Sequence, residues 1–300
     1  MTYRFSGHQT FVFRHGWLEK GVRLIQQNPH GFLDDDVLIK LGVGKNMVES
    51  IKYWCFQMQL LTDSAQAGEL RLTPLAEKVF GDGRNQRGVD PFLEDDATLW
   101  LLHWSLMRNP TLSTWQLVFT RLNRPEFKKS ELLYHIKQWV SGAAKVSDSS
   151  LLRDIECFVR NYAIQKKAKD KEENFDSPFL NLGLIQQTDE ADLYRFNIGV
   201  KKSLPAELVG YSIIKMIEKR NTGLRVQNCL YDEDSPGQIF KLNEGALMDN
   251  VEELESKTRG AFHVDDTAGM VSIVYKGKSL LPVFADSLLD HYYSGTAVAK

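Results

Sequence analysis

The sequence predicts a mainly α-helical chain carrying small β-hairpins, an α+β class assembled from winged helix-turn-helix-like modules. Three observations carry that expectation. Apolar residues recur every three or four positions in several separate stretches, the spacing of half-buried helices. Glycine and proline stand where those helices should turn or stop. Short apolar runs flank polar tips at the spacing of hairpins. With 300 residues, 43% hydrophobic and 25% charged, the chain can bury a substantial core. Its length suits two or three domains of about 100–150 residues each.

The N-terminal part defines the module most clearly. Trp17, Val22, Leu24 and Ile25 give the spacing of a helix over about residues 16–28, ended by Asn28-Pro29-His30-Gly31. Asp34 or Asp35 can cap a short second helix containing Val37, Leu38 and Leu41. Gly42 breaks it, because glycine tolerates the left-handed backbone of a tight interhelical turn. A third helix runs from about Lys45, with Met47, Val48, Ile51, Trp54, Cys55 and Met58 recurring every three or four residues. Leu60-Leu61-Thr62, a polar tip from Asp63 to Gly68, and Glu69-Leu70-Arg71-Leu72 read as a hairpin. Thr73 then caps another helix and Pro74 opens it. Helix, helix, glycine turn, helix, hairpin, helix is the order of a winged helix-turn-helix domain, with the hairpin as wing. A different small α+β packing of the same elements is the alternative.

The rest repeats this logic less cleanly. Asp95 to Met107 is strongly apolar and predicts a core helix. Pro110 and Ser113 reset the chain before Trp115, Leu117, Val118 and Phe119; Ser130 caps a helix through Trp139, and Ser147 or Asp148 a longer one through Tyr162. After a charged linker, Lys166–Asp176, the runs Leu182–Ile185 and Leu193–Phe196 form a second wing-like hairpin. Ser235-Pro236 opens a short helix, Ala246–Leu254 forms another, and Ala261–Val264 with Met270–Tyr275 form a third hairpin. The domains expected are residues 1–88, an N-terminal winged helix; 89–200, helical with the second hairpin; and 201–300, an acidic helical, winged-helix-like region.

A net charge of −2 hides an uneven distribution: residues 231–266 carry −7, residues 267–300 carry +1 and residues 1–230 carry +4. The chain is a mildly basic body with an acidic end, and solvated helix faces account for most of these charges. No apolar run approaches the roughly 18–20 residues of a membrane span, and the N-terminus lacks the apolar core and cleavage site of a secretory signal. No membrane association is expected. Cys55, Cys157 and Cys229 are odd in number and far apart, the usage of a reducing cytosol, so a cytoplasmic protein is expected.

No catalytic apparatus, metal site or cofactor is expected. His8, His15 and His30 match no zinc spacing and have no cysteine nearby. Leu41-Gly42-Val43-Gly44-Lys45 resembles a fragment of a phosphate loop but lacks the earlier glycine and a Ser/Thr after the lysine. Glu94, Asp95 and Asp96 could bind a divalent cation, yet acidic groups are expected at a helix start, where they complement the dipole. No Gly-x-Ser-x-Gly elbow or Cys-x-x-Cys occurs.

The candidate DNA surface is the third helix, offering Lys45, Asn46, Glu49, Ser50, Lys52 and Tyr53, with Arg71 on the wing. Asn and Lys at a helix start suit base edges or phosphates. Lys45 and Lys52 against Glu49 leave +1, so counterion release gives modest affinity for a monomer. Arg153, Arg160, Lys166, Lys167, Lys169 and Lys171 form a second patch that interspersed carboxylates weaken. At the opening, Arg4, His8 and Arg14 lie among Phe5, Phe11 and Phe13, as a folded cap or as a phosphate contact. Winged helices also serve protein–protein contact.

Phe5-Ser6-Gly7-His8-Gln9-Thr10-Phe11, followed by Arg14-His15-Gly16-Trp17-Leu18-Glu19-Lys20-Gly21, resembles a bacterial uncharacterised-domain family whose members open with Phe-Ser-Gly-His-x-Thr-Phe. Residues 41–48, 91–95, 97–104, 152–158 and 236–242 fit the same pattern, so the resemblance spans most of the chain; Val12 stands where the family commonly has proline. It implies context more than chemistry. Such proteins are encoded beside relatives of phosphoadenosine-phosphosulfate reductases and ATPases, in clusters for DNA sulfur modification (phosphorothioation) or antiviral phage defence. The resemblance carries over no catalytic residue. The expectation is a non-enzymatic winged-helix protein that places a neighbouring reductase-like or ATPase partner on double-stranded DNA. The alternative is an assembly or adaptor subunit that binds protein through the acidic 231–266 region without touching DNA. A metal-dependent nuclease using Glu94 or Asp95 comes third.

Overall fold

Amphipathic helices alternate with short strands in the computed structural model, which describes residues 2–143, 145–165, 177–220, 224–267, 270–277, 279–295 and 298. The charged linker at 166–176, with the four lysines it lends the second basic patch, lies outside the described residues, as do residues 268 and 269 of the third hairpin tip. The chain gathers into two compact units, Met1–Val118 with Arg124–Phe196, and Phe119–Asn123 with Asn197–Lys300.

The first unit opens with strand β1 (Thr2–Tyr3). Helix α1 (Trp17–Gln27) buries Trp17, Leu18, Val22, Leu24 and Ile25, the side its spacing marked as apolar. A 3-10 turn, Gly31–Leu33, leads to α2 (Val37–Leu41), which ends at Gly42 with φ 64°, a left-handed conformation that glycine adopts without a Cβ clash. The cap of α2 differs from expectation. Asp36 takes the N-cap position without a side-chain bond, while Asp34 is drawn to Asn28 and Lys40. Helix α3 (Lys45–Gln57) then precedes an antiparallel hairpin of β2 (Leu61–Asp63) and β3 (Leu70–Leu72), with Thr62 opposite Arg71. The Thr73 hydroxyl accepts the Ala76 N–H and Pro74 opens α4 (Pro74–Phe80), as expected.

Helix α5 (Asp96–Met107) is buried from Ala97 to Met107, which explains a sequence apolar on every face. Strand β4 (Thr111–Leu112) pairs in parallel with β1 and fastens the N-terminus. Then come α6 (Thr114–Arg121), β5 (Glu126–Lys128), α7 (Lys129–Val140) and α8 (Asp148–Tyr162). Ser147 caps α8, but Ser130 does not cap α7: the N-cap is Lys128, two residues earlier, and Glu131 accepts the Lys128 N–H. Strands β6 (Ile185–Gln187) and β7 (Leu193–Phe196) form the second hairpin, and β5 joins it in the order β5-β7-β6. Phe13, Trp54, Trp100, Trp115, Phe158 and Phe179 fill the core of this unit, all fully buried.

The second unit holds α9 (Ala206–Arg220), β8 (Leu224–Arg225), α10 (Val226–Tyr231), α11 (Pro236–Ile239), α12 (Glu244–Lys257), β9 (Phe262–Thr267), β10 (Met270–Tyr275) and α13 (Leu281–Ser294). The sheet order is β8-β10-β9, antiparallel throughout, and α9 packs against α12 and α13. Two lysines are buried here. The Lys201 ammonium donates to the carbonyls of Gly199 at 2.8 Å and Lys241 at 3.2 Å; Lys241 Nζ donates to the Phe119 carbonyl at 2.7 Å. Burial disfavours the charged form and pushes Lys201 down to about 8 and Lys241 to about 7.

A depressed lysine pKa has a defined sign in stability. Between about pH 7 and the ordinary value of 10.5, the unfolded chain holds a proton that folded Lys241 has lost, so stability rises with pH across that window. The slope for this one group approaches about 1.4 kcal/mol per pH unit. Urea denaturation between pH 7 and 9 measures it, and Lys241→Met should flatten the rise; an unchanged slope in the variant would show that Lys241 is not its source.

Candidate nucleic-acid interface

Helical spacing divides α3 into two working stripes. Lys45, Glu49, Lys52 and Phe56 share one face, and the first two are exposed along with neighbouring Asn46. Lys52 is half-buried, its ammonium 5.8 Å from the centre of the Phe32 ring, so packing holds it close to the surface of its own unit. Asn46, Ser50, Tyr53 and Gln57 line a second face, and below Asn46 this face is covered. Tyr53 is 2% exposed, which removes it from the expected DNA surface. Arg71 is exposed on β3. Nearby cations are committed elsewhere: Lys40 pairs with Asp34 and Asp36, and Lys20 donates to the Leu41 carbonyl.

The opening motif is what covers the second stripe of α3. Gly7 packs on Tyr53 so closely that a Cβ would sit 2.4 Å from a ring carbon. Ser50 donates its hydroxyl to the His8 carbonyl at 3.0 Å, and the Trp54 indole donates to the Phe11 carbonyl at 3.3 Å. His8 itself is 0% exposed, so it is a folded anchor and not a phosphate contact. The Thr10 N–H donates to His8 Nδ1 at 3.0 Å, which leaves the ring proton on Nε2, donated to Asp154 Oδ1 at 2.8 Å. The same carboxylate accepts the Ser6 N–H at 2.6 Å and the Thr114 hydroxyl at 3.3 Å. Within this loop Ser6, Gln9 and Thr10 hold φ of 63°, 49° and 66°. Such left-handed positions cost about 1–3 kcal/mol each and persist only where surrounding bonds over-determine them.

The remaining candidates separate. Arg4 is exposed, its guanidinium 5.4 Å from the Tyr53 ring centre, and so lies against α3. Arg14 is half-buried over the rings of Phe11 and Trp17, 5.5 Å from each. Arg84 and Arg87, two cations outside the expected surface, stand exposed on a loop that Asp82 organises by accepting three backbone N–H groups.

For other chemistry the acidic run is structural. Asp95 caps α5, and Asp90 accepts the N–H groups of Glu94 and Asp95. Among the described residues no three His, Cys, Asp or Glu are grouped to hold a metal ion. The three cysteines are buried, and burial pushes their thiols up, Cys229 to about 12, away from nucleophilic thiolate. No described helix is long and apolar enough to cross a membrane.

Removing the Asp154 carboxylate leaves the Ser6 N–H, the His8 Nε2–H and the Thr114 hydroxyl without their acceptor, and a buried polar group left unsatisfied costs about 1–3 kcal/mol. Asp154→Ala should therefore destabilise the protein on that scale in chemical denaturation, and Gly7→Ala by about 1–3 kcal/mol through overpacking on Tyr53. A loss below about 1 kcal/mol for Asp154→Ala would mean that the motif is not anchored through this carboxylate.

The chain is similar to two crystal structures, one of magnesium ion-bound SspB with a TM-score of 0.86 and one of SspB with a TM-score of 0.85. Each is 27% identical, over 96% of this chain and 87% of its own. No curated protein matches. A family model described as "Protein of unknown function (DUF4007)" matches residues 5–293, nearly the whole chain, and the protein belongs to that family.

Proposed function

We propose that this protein is a non-enzymatic DNA-binding component of a bacterial DNA-modification or phage-defence system, and that it places a partner enzyme on double-stranded DNA. In this reading α1 to α4 with the β2–β3 hairpin are a winged helix, α3 its recognition helix and the hairpin its wing. The observation that carries it is the exposed Lys45, Asn46 and Glu49 on α3, with Arg71 on the hairpin that follows. Exposed lysine and arginine give the salt-sensitive backbone contacts, and an exposed asparagine can read adenine through two hydrogen bonds. The likeness to SspB and the opening motif support the setting, DNA sulfur modification, and a reductase-like or ATPase partner.

One observation favours a second reading, an adaptor that binds protein without DNA. Leu33, Leu38 and Ile39 are 63%, 42% and 84% exposed on and beside α2, the helix that leads into α3. Apolar groups there gain nothing against a phosphate backbone and suit a protein surface.

Fluorescence anisotropy with a DNA duplex between 50 and 200 mM salt separates the two. The Lys45→Ala/Arg71→Ala protein should stay folded, bind more weakly, and lose about two units of the log–log salt slope. An unchanged slope would overturn the assigned face; no duplex binding at low salt, together with capture of the purified partner, would favour the adaptor. Because one SspB structure holds magnesium, the assay is run with and without it, and magnesium-dependent DNA cleavage would end the non-enzymatic reading.

A further inference from the structure

We propose that the cleft at the foot of the β2–β3 hairpin is a binding site for a single unpaired nucleotide. This rests on the DNA-binding reading of α3 and extends it. The cleft encloses about 280 Å³ between the C-terminal end of α3, strand β2 and the N-terminal segment. That is at the small end of ligand pockets, about 300–1,000 Å³, and matches one nucleotide unit better than a large cofactor.

Its wall is built before any ligand arrives. Asn109 donates its amide to the carbonyls of Phe56 and Gln57, both at 3.0 Å, and accepts the Thr111 N–H at 2.8 Å. The Gln57 carbonyl at the end of α3 gains a donor in this way, while the Phe56 carbonyl also accepts the Gln59 N–H at 3.0 Å. The side chains of Arg4, Gln57, Thr62 and Asp63, which also line the cleft, make no hydrogen bond or ion pair among the described residues. Gln57 is only 1% exposed and its Oε1 is buried without a donor. A buried amide oxygen left so is unfavourable, and a ligand that supplies a donor relieves it.

The chemistry of the four groups describes their ligand. A guanidinium, already placed over the Tyr53 ring, suits a phosphate. A carboxylate, an amide and a hydroxyl suit the amino and carbonyl edge of a base. Pairing occupies the Watson–Crick edge of a base and stacking keeps it out of a cleft, whereas an unpaired base can present that edge inside one. Phe56 connects the two surfaces: it ends the exposed stripe that begins at Lys45 and it lines the cleft. A strand lying on α3 could thus deliver one nucleotide into the cleft; a free nucleotide has the same chemistry.

Two arms test the site and its source. Ligand-observed NMR with deoxynucleoside 5′-monophosphates reads the cleft directly on wild type, Arg4→Ala and Gln57→Leu; anisotropy compares a paired duplex with the same duplex carrying one bulged nucleotide. The expected result is monophosphate binding that both variants weaken, and a preference for the bulge of about tenfold that they abolish. Monophosphate binding without bulge preference would support the cleft with a free nucleotide as its occupant. No monophosphate binding to wild type, or binding that neither variant changes, would overturn the proposal. The Lys45→Ala/Arg71→Ala protein keeps the readings apart: it should bind monophosphates as wild type does, whatever happens to duplex affinity.

Discussion

A neutral imidazole and a carboxylate, both sealed from water, hold the opening segment of this chain to its first unit, and the candidate surface depends on that grip. Asp154 gathers three donors from distant positions, Ser6, His8 and Thr114. The grip keeps the left-handed backbone at Ser6, Gln9 and Thr10 in place, and it lays the motif along Ser50, Tyr53 and Trp54. Helix α3 is thereby braced on its inner faces while Lys45, Asn46 and Glu49 stay in solvent. A recognition surface gains specificity when its supports are locked, because little ordering is left to do on binding. The same bracing sets Arg4 beside Tyr53 and so shapes one side of the cleft.

Electrostatics follow from where partners sit more than from composition. In the second unit Asp232, Glu233 and Asp234 meet Arg220, Arg121 and Lys219, so this part of the acidic region is already partnered. Glu207, 3% exposed, is approached by Lys257 at 2.8 Å and His291 at 3.6 Å. A partner that sought acidic charge would find it toward α12, where Glu252, Glu253 and Glu255 lie on the exposed face, although Glu253 already meets Lys257. The first unit shows the same selection: Lys20 and Lys40 meet oxygens and Lys52 the Phe32 ring, whereas Lys45 and Arg71 are exposed and Arg4, also exposed, lies over the Tyr53 ring.

Much of the local structure was legible because its causes are local. Periodicity located α1 and α3, a continuous apolar stretch located α5, Gly42 ended α2, and Thr73-Pro74 opened α4. The caps that differ had competitors of similar strength close by: Asp34 preferred Asn28 and Lys40, and Glu131 drew the N-cap of α7 back to Lys128. The motif residues were legible as a group, and their roles were not. His8 and Tyr53 look like polar groups available to a ligand, and nothing within their own helix or loop announces Asp154 or Gly7 as the neighbours that bury them.

The sequence by itself determined the α+β class, the order of helices and hairpins in the N-terminal part, and the polar face of α3, since each follows from spacing and backbone preference within a few turns. Only the tertiary structure decided which of those polar residues meet solvent, that β5 joins the β6–β7 hairpin, and that Arg4, Gln57, Thr62 and Asp63 share one cleft. Burial and long-range pairing arise when segments far apart in the chain remove each other's water, and residue order along a single segment carries no record of that partner.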